Sequence, residues 1–282
     1  MRETAPWTRC IWTNVSWLAW EGRCRNALFT LPGVTALAVC LDYMHCKYLG
    51  MDQYQFGSCL WLLVNVIMEQ SRGPLHNLYR VHDHIQQFYK QHRTPVRFRY
   101  MNKLSMFTKK ANFPKLRGKA GEVKYFGKAL LSAWEKYAHV GILWQRKVQV
   151  MLKANICMED ILTQHREAYA LPPLAAKQFE KAAFANCQLQ SQLAEHFLNE
   201  GGQKLFDVTS KAHMVLHAAK FSKHISPRRV WCFFGEDFMH TIQQLAQNCC
   251  KGRQAPDVIN KMVQHYKLGM HFQFTAPGIV QD

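Results

Sequence analysis

The hydrophobic pattern predicts two short strands that lie far apart in the chain. Residues Val34 to Leu41 (VTALAVCL) are continuously apolar, contain β-branched residues and follow the Pro32-Gly33 turn. Residues Val230 to Phe234 (VWCFF) form a second β-branched and aromatic run. Runs of this length that follow turn residues are typical of buried strands. Each predicted strand ends shortly before an acidic residue, Asp42 in the first case and Glu236 in the second.

Between and after these runs, apolar positions recur at helical spacing. A long helix is predicted from Pro172-Pro173 to Gly201-Gly202, because its apolar residues recur every three or four positions between a proline start and a glycine stop. The same spacing predicts helices over Gly57–Met68, Leu75–Tyr89, Val123–Tyr137, Ser210–Ser222, Phe238–Cys250 and from Pro256 to Gly269, and one or two helices over Val140–Leu162. We therefore expect an α/β protein that is predominantly helical and has few strands.

The composition narrows the class of protein. A chain of 282 residues with 48% hydrophobic content can bury a substantial core. Its longest nearly apolar run, Cys59 to Met68, is far shorter than the roughly 20 residues of a membrane-spanning helix. The tryptophan-rich start lacks the pattern of a secretory signal, and the ten cysteines follow no CxxC pattern. We expect buried thiols in a reducing compartment, with no membrane association and no secretion.

Positive charge is concentrated in one part of the chain. The net charge is +17, which favours a polyanionic partner. Residues 88–128, which we call the basic segment, contain one acidic residue and eight aromatic residues. Alternating cations and aromatics favour phosphate contact with base stacking, and a solvated loop is the alternative. The basic residues of the segment are Lys90, Arg93, Arg97, Arg99, Lys103, Lys109, Lys110, Lys115, Arg117, Lys119, Lys124 and Lys128.

Asp42 and Glu236 are candidate metal ligands because each follows a predicted strand. If the two strands are neighbours in one sheet, both carboxylates lie at the same edge and can hold Mg²⁺ or Mn²⁺ through hard oxygen ligands. The alternative is that each acid stabilises the N-terminus of the next helix. The pattern alone leaves both interpretations open.

Two further arrangements are weaker candidates. His213 and His217 have the i, i+4 spacing of a zinc pair, but the glutamate of the HExxH motif is absent. Cys46 next to His45 resembles a nucleophile with its base. However, adjacent side chains at a strand end point apart, so we do not expect them to react together.

Four segments stand out in the order LPGVTALAVCLDYMHCKYLG, FPKLRGKAGEVKYF, SKAHMVLH and CFFGEDFMHTI, the last preceded by Ser226-Pro227. They resemble, in the same order, segments of the CACTA-type DDE/D transposases. The matching residues are Asp42, Met44, His45, Leu49 and Gly50 in the first segment, Lys119, Ala120 and Glu122 in the second, Lys211, His213 and His217 in the third, and Glu236 beside Asp237 in the fourth.

The resemblance implies an RNase H-like catalytic core interrupted by a long all-helical insertion. In such a core, three acids bind two Mg²⁺ or Mn²⁺ ions that promote DNA strand transfer or cleavage. The resemblance assigns catalysis and metal binding to Asp42 and Glu236, with support from His45, His213, His217 and Asp237. The expected divisions are a tryptophan-rich segment 1–29, a partial core from 30–56 and 226–252, a helical insertion 57–225, and a C-terminal helix and tail 253–282.

The first catalytic aspartate of the family has no counterpart, because no aspartate precedes Asp42. We therefore expect a transposase-derived nuclear protein that binds DNA, with RNA as an alternative ligand, and that is inactive as an isolated chain. Two other functions remain open. One is an active two-metal transposase or nuclease, and the other is a helical scaffold for protein interactions.

Overall fold

The computed structural model of the chain describes residues 40–108, 113–250 and 255–275. The chain divides into two compact units, Met1–Asp42 and Tyr43–Asp282. Within the first unit, the described residues 40–42 have no regular secondary structure. All helices described below belong to the second unit.

A helix that we call α1 begins the second unit and lies at the centre of its core. It consists of a π-helical part, Met44–Met51, an α-helical part, Asp52–Leu62, and a second π-helical part, Leu63–Ile67. Its backbone kinks at Leu49. Side chains on every side of α1 are buried, as expected of a helix that other helices enclose.

Seven further α-helices follow in the described part of the chain. The longest, α5, begins after Pro172 and ends at Gly202, whose positive φ of 61° allows its N–H to reach the carbonyl of Leu198 at 3.0 Å. The bounds are α2 Gly73–Gln91, α3 Ala120–Tyr137, α4 Leu143–Gln164, α5 Pro173–Gly201, α6 Ser210–Phe221, α7 Phe233–Cys249 and α8 Ala255–Thr275.

The core forms where α3 to α6 surround α1. Helix α4 packs along α5, α5 packs against α6, and both α3 and α6 contact the first part of α1. Large aromatic side chains fill the space between them, with Trp134, Phe126 and Phe179 almost completely buried. Apolar burial of this kind is the main favourable term in folding, and it places α1 where neighbouring elements can be anchored to it.

The helical predictions are confirmed for most segments, because α2 to α8 lie where helical spacing indicated them, with Val140–Leu162 forming the single helix α4. The predicted helix Gly57–Met68 is the second half of α1, which begins earlier than expected. Its first half carries polar residues, among them Lys47 and Asp52, between apolar ones, and it therefore lacks the one-sided pattern that marks an amphipathic helix.

The prediction of an α/β fold with a partial RNase H-like core is wrong, since residues 40–108, 113–250 and 255–275 contain no strand. The predicted strand Val230–Phe234 is an irregular stretch that leads into α7 at Phe233. Most of the other predicted strand, Val34–Leu41, lies outside the described residues. The unit is all-helical in its described part.

Two of the three aromatic residues that suggested a strand, Trp231 and Phe233, pack against helices instead, whereas Phe234 is exposed. Trp231 lies beneath the ammonium group of Lys124, whose Nζ is 4.4 Å from the ring centre. Phe233 contacts the ring of Tyr48 in α1, with 5.8 Å between ring centres. One backbone hydrogen bond joins Tyr43 N–H to the carbonyl of Val230 at 3.4 Å. A short run of β-branched and aromatic residues does not by itself distinguish a strand from a partly buried loop.

Helices α7 and α8 pack on each other at the C-terminal end, where the rings of Phe238 and Tyr266 lie 5.9 Å apart. Both helices keep large apolar side chains exposed, among them Phe234 and Ile259. In the part of the chain that the structure describes, no helix is both long enough and apolar enough to cross a membrane.

Candidate nucleic-acid interface

The basic segment runs from the end of α2 into α3 and forms two loops, residues 92–103 and 113–119. Between the loops lies a cleft of about 1020 Å³, which we call the basic cleft. Four of its lining residues are cationic and one is acidic. The lining residues are Gln86, Pro95, Val96, Arg97, Phe98, Arg99, Tyr100, Met106, Arg117, Lys119 and Glu122.

The four cations of the basic cleft are exposed and lack acidic partners. Arg97, Arg99, Arg117 and Lys119 form no ion pair with any residue in the described ranges. Glu122 instead caps α3, because its Oε2 accepts a hydrogen bond from the backbone N–H of Lys119 at 2.8 Å. The cleft therefore presents a net positive surface to solvent.

Hydrogen bonds to backbone carbonyl groups hold both loops in place. The N–H of Leu116 donates to the carbonyl of Gln53 in α1 at 2.8 Å, and the N–H of Arg117 donates to the carbonyl of Met106 at 2.7 Å. In the other loop, Nε2 of Gln86 donates to the carbonyl of Phe98 at 2.7 Å. The positions of the cations are thus set by the buried helices rather than by the loops alone.

Two glycines allow this close approach. A Cβ on Gly57 of α1 would lie 2.8 Å from the backbone nitrogen of Leu116, too close for the loop to keep its position. A Cβ on Gly118 would overlap the ring of Phe98. That ring is itself buried against Phe126, with ring centres 5.2 Å apart, so the floor of the cleft is part of the core.

The other cations predicted to bind nucleic acid divide into three groups, of which one, Lys115 and Lys124, has partners within the protein. Lys90, Arg93 and Lys103 are exposed near the ends of the first loop. Lys109 and Lys110 lie outside the described residues.

Three lysines of the basic segment have partners within the protein. Lys128 pairs with Asp160 at 2.6 Å, and Lys115 lies 5.1 Å from the ring centre of Tyr54. Lys124 turns inward over Trp231, and burial lowers its pKa. These contacts leave them less available to a ligand than the cations of the basic cleft.

Glu236 lies in the first turn of α7 and contacts a histidine. Its Oε1 is 3.2 Å from Nε2 of His45 in α1, and Nδ1 of the same ring is 3.3 Å from Sγ of Cys232. The structure thus brings together two residues of the family resemblance, His45 and Glu236. Sequence reasoning missed Cys232, because 187 positions separate it from His45 and no local spacing links them.

The surroundings of Glu236 do not match the oxygen-rich site expected for Mg²⁺ or Mn²⁺. Within the second unit, its carboxylate faces an imidazole that also contacts a thiol. Mg²⁺ prefers carboxylates, carbonyls and water, whereas imidazole and thiolate suit softer metals. Asp42 belongs to the first unit, and metal binding by Asp42 with Glu236 stays a prediction.

The remaining predicted supporting residues lie on α6 and α7. The Nε2 atoms of His213 and His217 are 2.7 Å apart on α6, with His213 exposed to solvent. Partial burial and the neighbouring His213 lower the pKa of His217. The side chain of Asp237 lies outside the described part of the structure.

A buried ionic network at the centre of the core was not predicted. Nζ of Lys47 lies 2.7 Å from Oδ2 of Asp52 and 3.2 Å from Oε1 of Glu159. Asn155 donates to Oδ1 of Asp52 at 2.7 Å, and the hydroxyl of Tyr48 donates to Glu159 at 2.9 Å. Local spacing could not indicate this network, because 111 positions separate Tyr48 from Glu159.

Comparison with protein-family models, curated proteins and solved structures gives no significant match. The resemblance to CACTA-type transposases therefore depends on the four sequence segments, and it stays a prediction.

Proposed function

We propose that this protein binds nucleic acid, and DNA in particular, through the basic cleft. The observation that carries the proposal is one concave surface lined by Arg97, Arg99 and Arg117, which are exposed and have no acidic partner among the described residues. Guanidinium groups bind phosphate oxygens through paired, charge-assisted hydrogen bonds. A phosphate backbone supplies the negative charge that this surface lacks.

The anchoring of the loops supports the same proposal. Arg117 follows a residue whose backbone is hydrogen-bonded to α1, and Arg97 and Arg99 flank the buried Phe98. A surface whose backbone is already ordered loses less conformational freedom when it binds a ligand. Anchored arginines therefore bind phosphates at a lower entropic cost than arginines of a solvated loop.

A triple variant tests the role of the cleft. Arg97→Ala with Arg99→Ala and Arg117→Ala should weaken binding to duplex DNA and flatten its salt dependence. The slope of log K against log salt should fall by about 0.9 for each phosphate contact removed. Fluorescence anisotropy across a salt series measures this slope directly.

The control removes the same charge from elsewhere on the surface. Arg146, Lys153 and Lys177 are exposed and lie outside the basic cleft, so their combined change to alanine should leave most of the slope intact. Equal flattening in both triple variants would assign binding to overall charge and contradict a specific role of the cleft.

DNA cleavage is a second candidate, favoured by the contact between His45 and Glu236, since the family resemblance places both at one catalytic site. The test is nicking of supercoiled plasmid in the presence of Mg²⁺. DNA cleavage is supported if the wild-type protein nicks the plasmid and Glu236→Gln abolishes the activity. Nicking that persists in Glu236→Gln would show that this carboxylate is not required. The origin from a transposase and the nuclear location remain part of the proposal.

A further inference from the structure

The basic cleft contains an aromatic ring with an open face. Tyr100 is 74% exposed, although the next residue, Met101, is completely buried and fixes the backbone beside it. The ring of Tyr100 makes no aromatic contact and no hydrogen bond with a residue in the described ranges. A ligand in the cleft can therefore reach this ring without displacing another side chain.

The lining of the cleft is apolar as well as cationic. Pro95, Val96 and Met106 line it beside the arginines, and Val96 is 39% exposed. A ligand that carried only phosphate groups would leave this apolar surface in contact with water. A better match is a ligand that combines phosphates with flat apolar faces.

The open face of Tyr100 favours one form of nucleic acid over the other. In a duplex the base faces are stacked inside the helix, so only phosphates, sugars and base edges reach a protein surface. In a single strand, the base faces are free to stack on aromatic side chains.

We propose that the basic cleft binds single-stranded nucleic acid, with a base stacked on Tyr100 and the neighbouring phosphates held by Arg97, Arg99 and Arg117. This inference rests on the proposed function and specifies its ligand. Stacking does not depend on base identity, because every base has a π face. We therefore expect little sequence preference.

Three probes of equal length test the proposal, namely a single-stranded oligothymidine, the corresponding duplex, and a strand of abasic sites. The wild-type protein should bind the single strand more tightly than the duplex. Tyr100→Ala should weaken binding to the single strand by about 10-fold or more, as expected for the loss of one stacked base. The same change should leave binding to the abasic strand unaltered, since that strand has no bases.

Two control variants exclude indirect effects. Tyr100→Phe keeps the ring and should retain wild-type affinity for the single strand. Tyr169 is similarly exposed at 68% and lies outside the basic cleft, so Tyr169→Ala should bind as the wild type does. Tighter binding to the duplex, or equal weakening of all three probes by Tyr100→Ala, would overturn the inference.

The two proposals fail in different ways. If the arginine triple variant keeps the salt dependence of the wild type, the cleft does not bind phosphates and the proposed function is wrong. If that variant loses salt dependence but Tyr100→Ala binds the single strand normally, the cleft binds phosphates and only the stacking inference is wrong.

Discussion

Cationic side chains occupy opposite environments in two regions of this protein. Lys47 is completely buried in α1, with carboxylates of Asp52 and Glu159 at 2.7 and 3.2 Å. Arg97 and Arg99 are exposed in the basic cleft and have no carboxylate partner among the described residues. The comparison shows that the core neutralises its own charge, whereas the cleft leaves charge available for a ligand.

Desolvation is the physical basis of the difference. Removing an ammonium group from water costs several kcal/mol unless opposite charges and hydrogen bonds compensate. Burial by itself would lower the pKa of Lys47, but the carboxylates of Asp52 and Glu159 outweigh it and the pKa is raised. Exposed arginines remain hydrated and need no such partners.

The largest expected effect comes from removing the cation of the core. Lys47→Met should lower the free energy of unfolding by about 3–5 kcal/mol, because two buried carboxylates lose their counter-charge. Urea denaturation followed by circular dichroism measures the change. Adding Asp52→Asn to the variant should recover part of the loss.

The control is a lysine whose ion pair is exposed. Lys153 pairs with Glu135 at 3.1 Å on the surface, and such pairs contribute about 0–1 kcal/mol. Lys153→Met should therefore leave the unfolding free energy nearly unchanged. A similar loss in Lys47→Met and Lys153→Met would contradict the distinction between core and surface charges.

An intermediate effect should appear in the pH dependence of stability. Burial raises the pKa of Asp52 to about 6, although Lys47 opposes the shift. The folded protein then holds this proton more tightly than the unfolded chain does. The stabilising contribution of Asp52 is complete below about pH 4 and is lost as the pH rises through about 6.

Asp52→Asn removes this titration from the core. The stability of the variant relative to the wild type should rise between pH 4 and pH 7 by up to about 3 kcal/mol. Urea denaturation at intervals of one pH unit measures the trend. Asp83→Asn is the control, because it removes a carboxyl group that is exposed. A constant difference between Asp52→Asn and the wild type would show that the pKa of Asp52 is not raised.

The smallest expected effect concerns the single acid of the basic cleft. Glu122→Gln keeps a hydrogen-bond acceptor for the N–H of Lys119 and removes one negative charge. Stability should fall by about 0.3–1 kcal/mol, since an acid near a helix N-terminus interacts favourably with the helix dipole. Binding to nucleic acid should become tighter, because the cleft loses its negative charge. Fluorescence anisotropy measures this change in affinity.

Glu135 provides the matched control for this change, because it lies on the same helix and outside the basic cleft. Glu135→Gln should leave the affinity for nucleic acid close to that of the wild type. If both variants bind equally tightly, the effect comes from overall charge rather than from the cleft.

The sequence predicted the helices better than the fold class. Helix α5 has a proline start, a glycine stop and a one-sided apolar pattern, so local signals agree with its environment. Val230–Phe234 has strand composition, but Phe233 contacts Tyr48 and Trp231 contacts Lys124, both on helices. No strand partner is present among the described residues, and local composition cannot specify one.

The sequence indicated which residue types the candidate site contains, but it did not indicate how they are arranged in space. The density of cations and aromatics in residues 88–128 indicated a surface for nucleic acid. Whether Lys124 faces the core and Arg117 faces solvent depends on the positions of α1 and α3, which local spacing does not reveal. The contact between His45 and Cys232 depends in the same way on the meeting of α1 and α7.

By itself, the sequence determined the positions of most helices and the concentration of positive charge, because helical periodicity and composition are local properties. The tertiary structure decided which charges became buried partners and which remained exposed. Burial depends on residues far apart in the chain, as Lys47 and Glu159 show. That environment sets the free energy of a charged group. A cation in α1 therefore stabilises the fold, whereas a cation in the basic cleft remains available to a ligand.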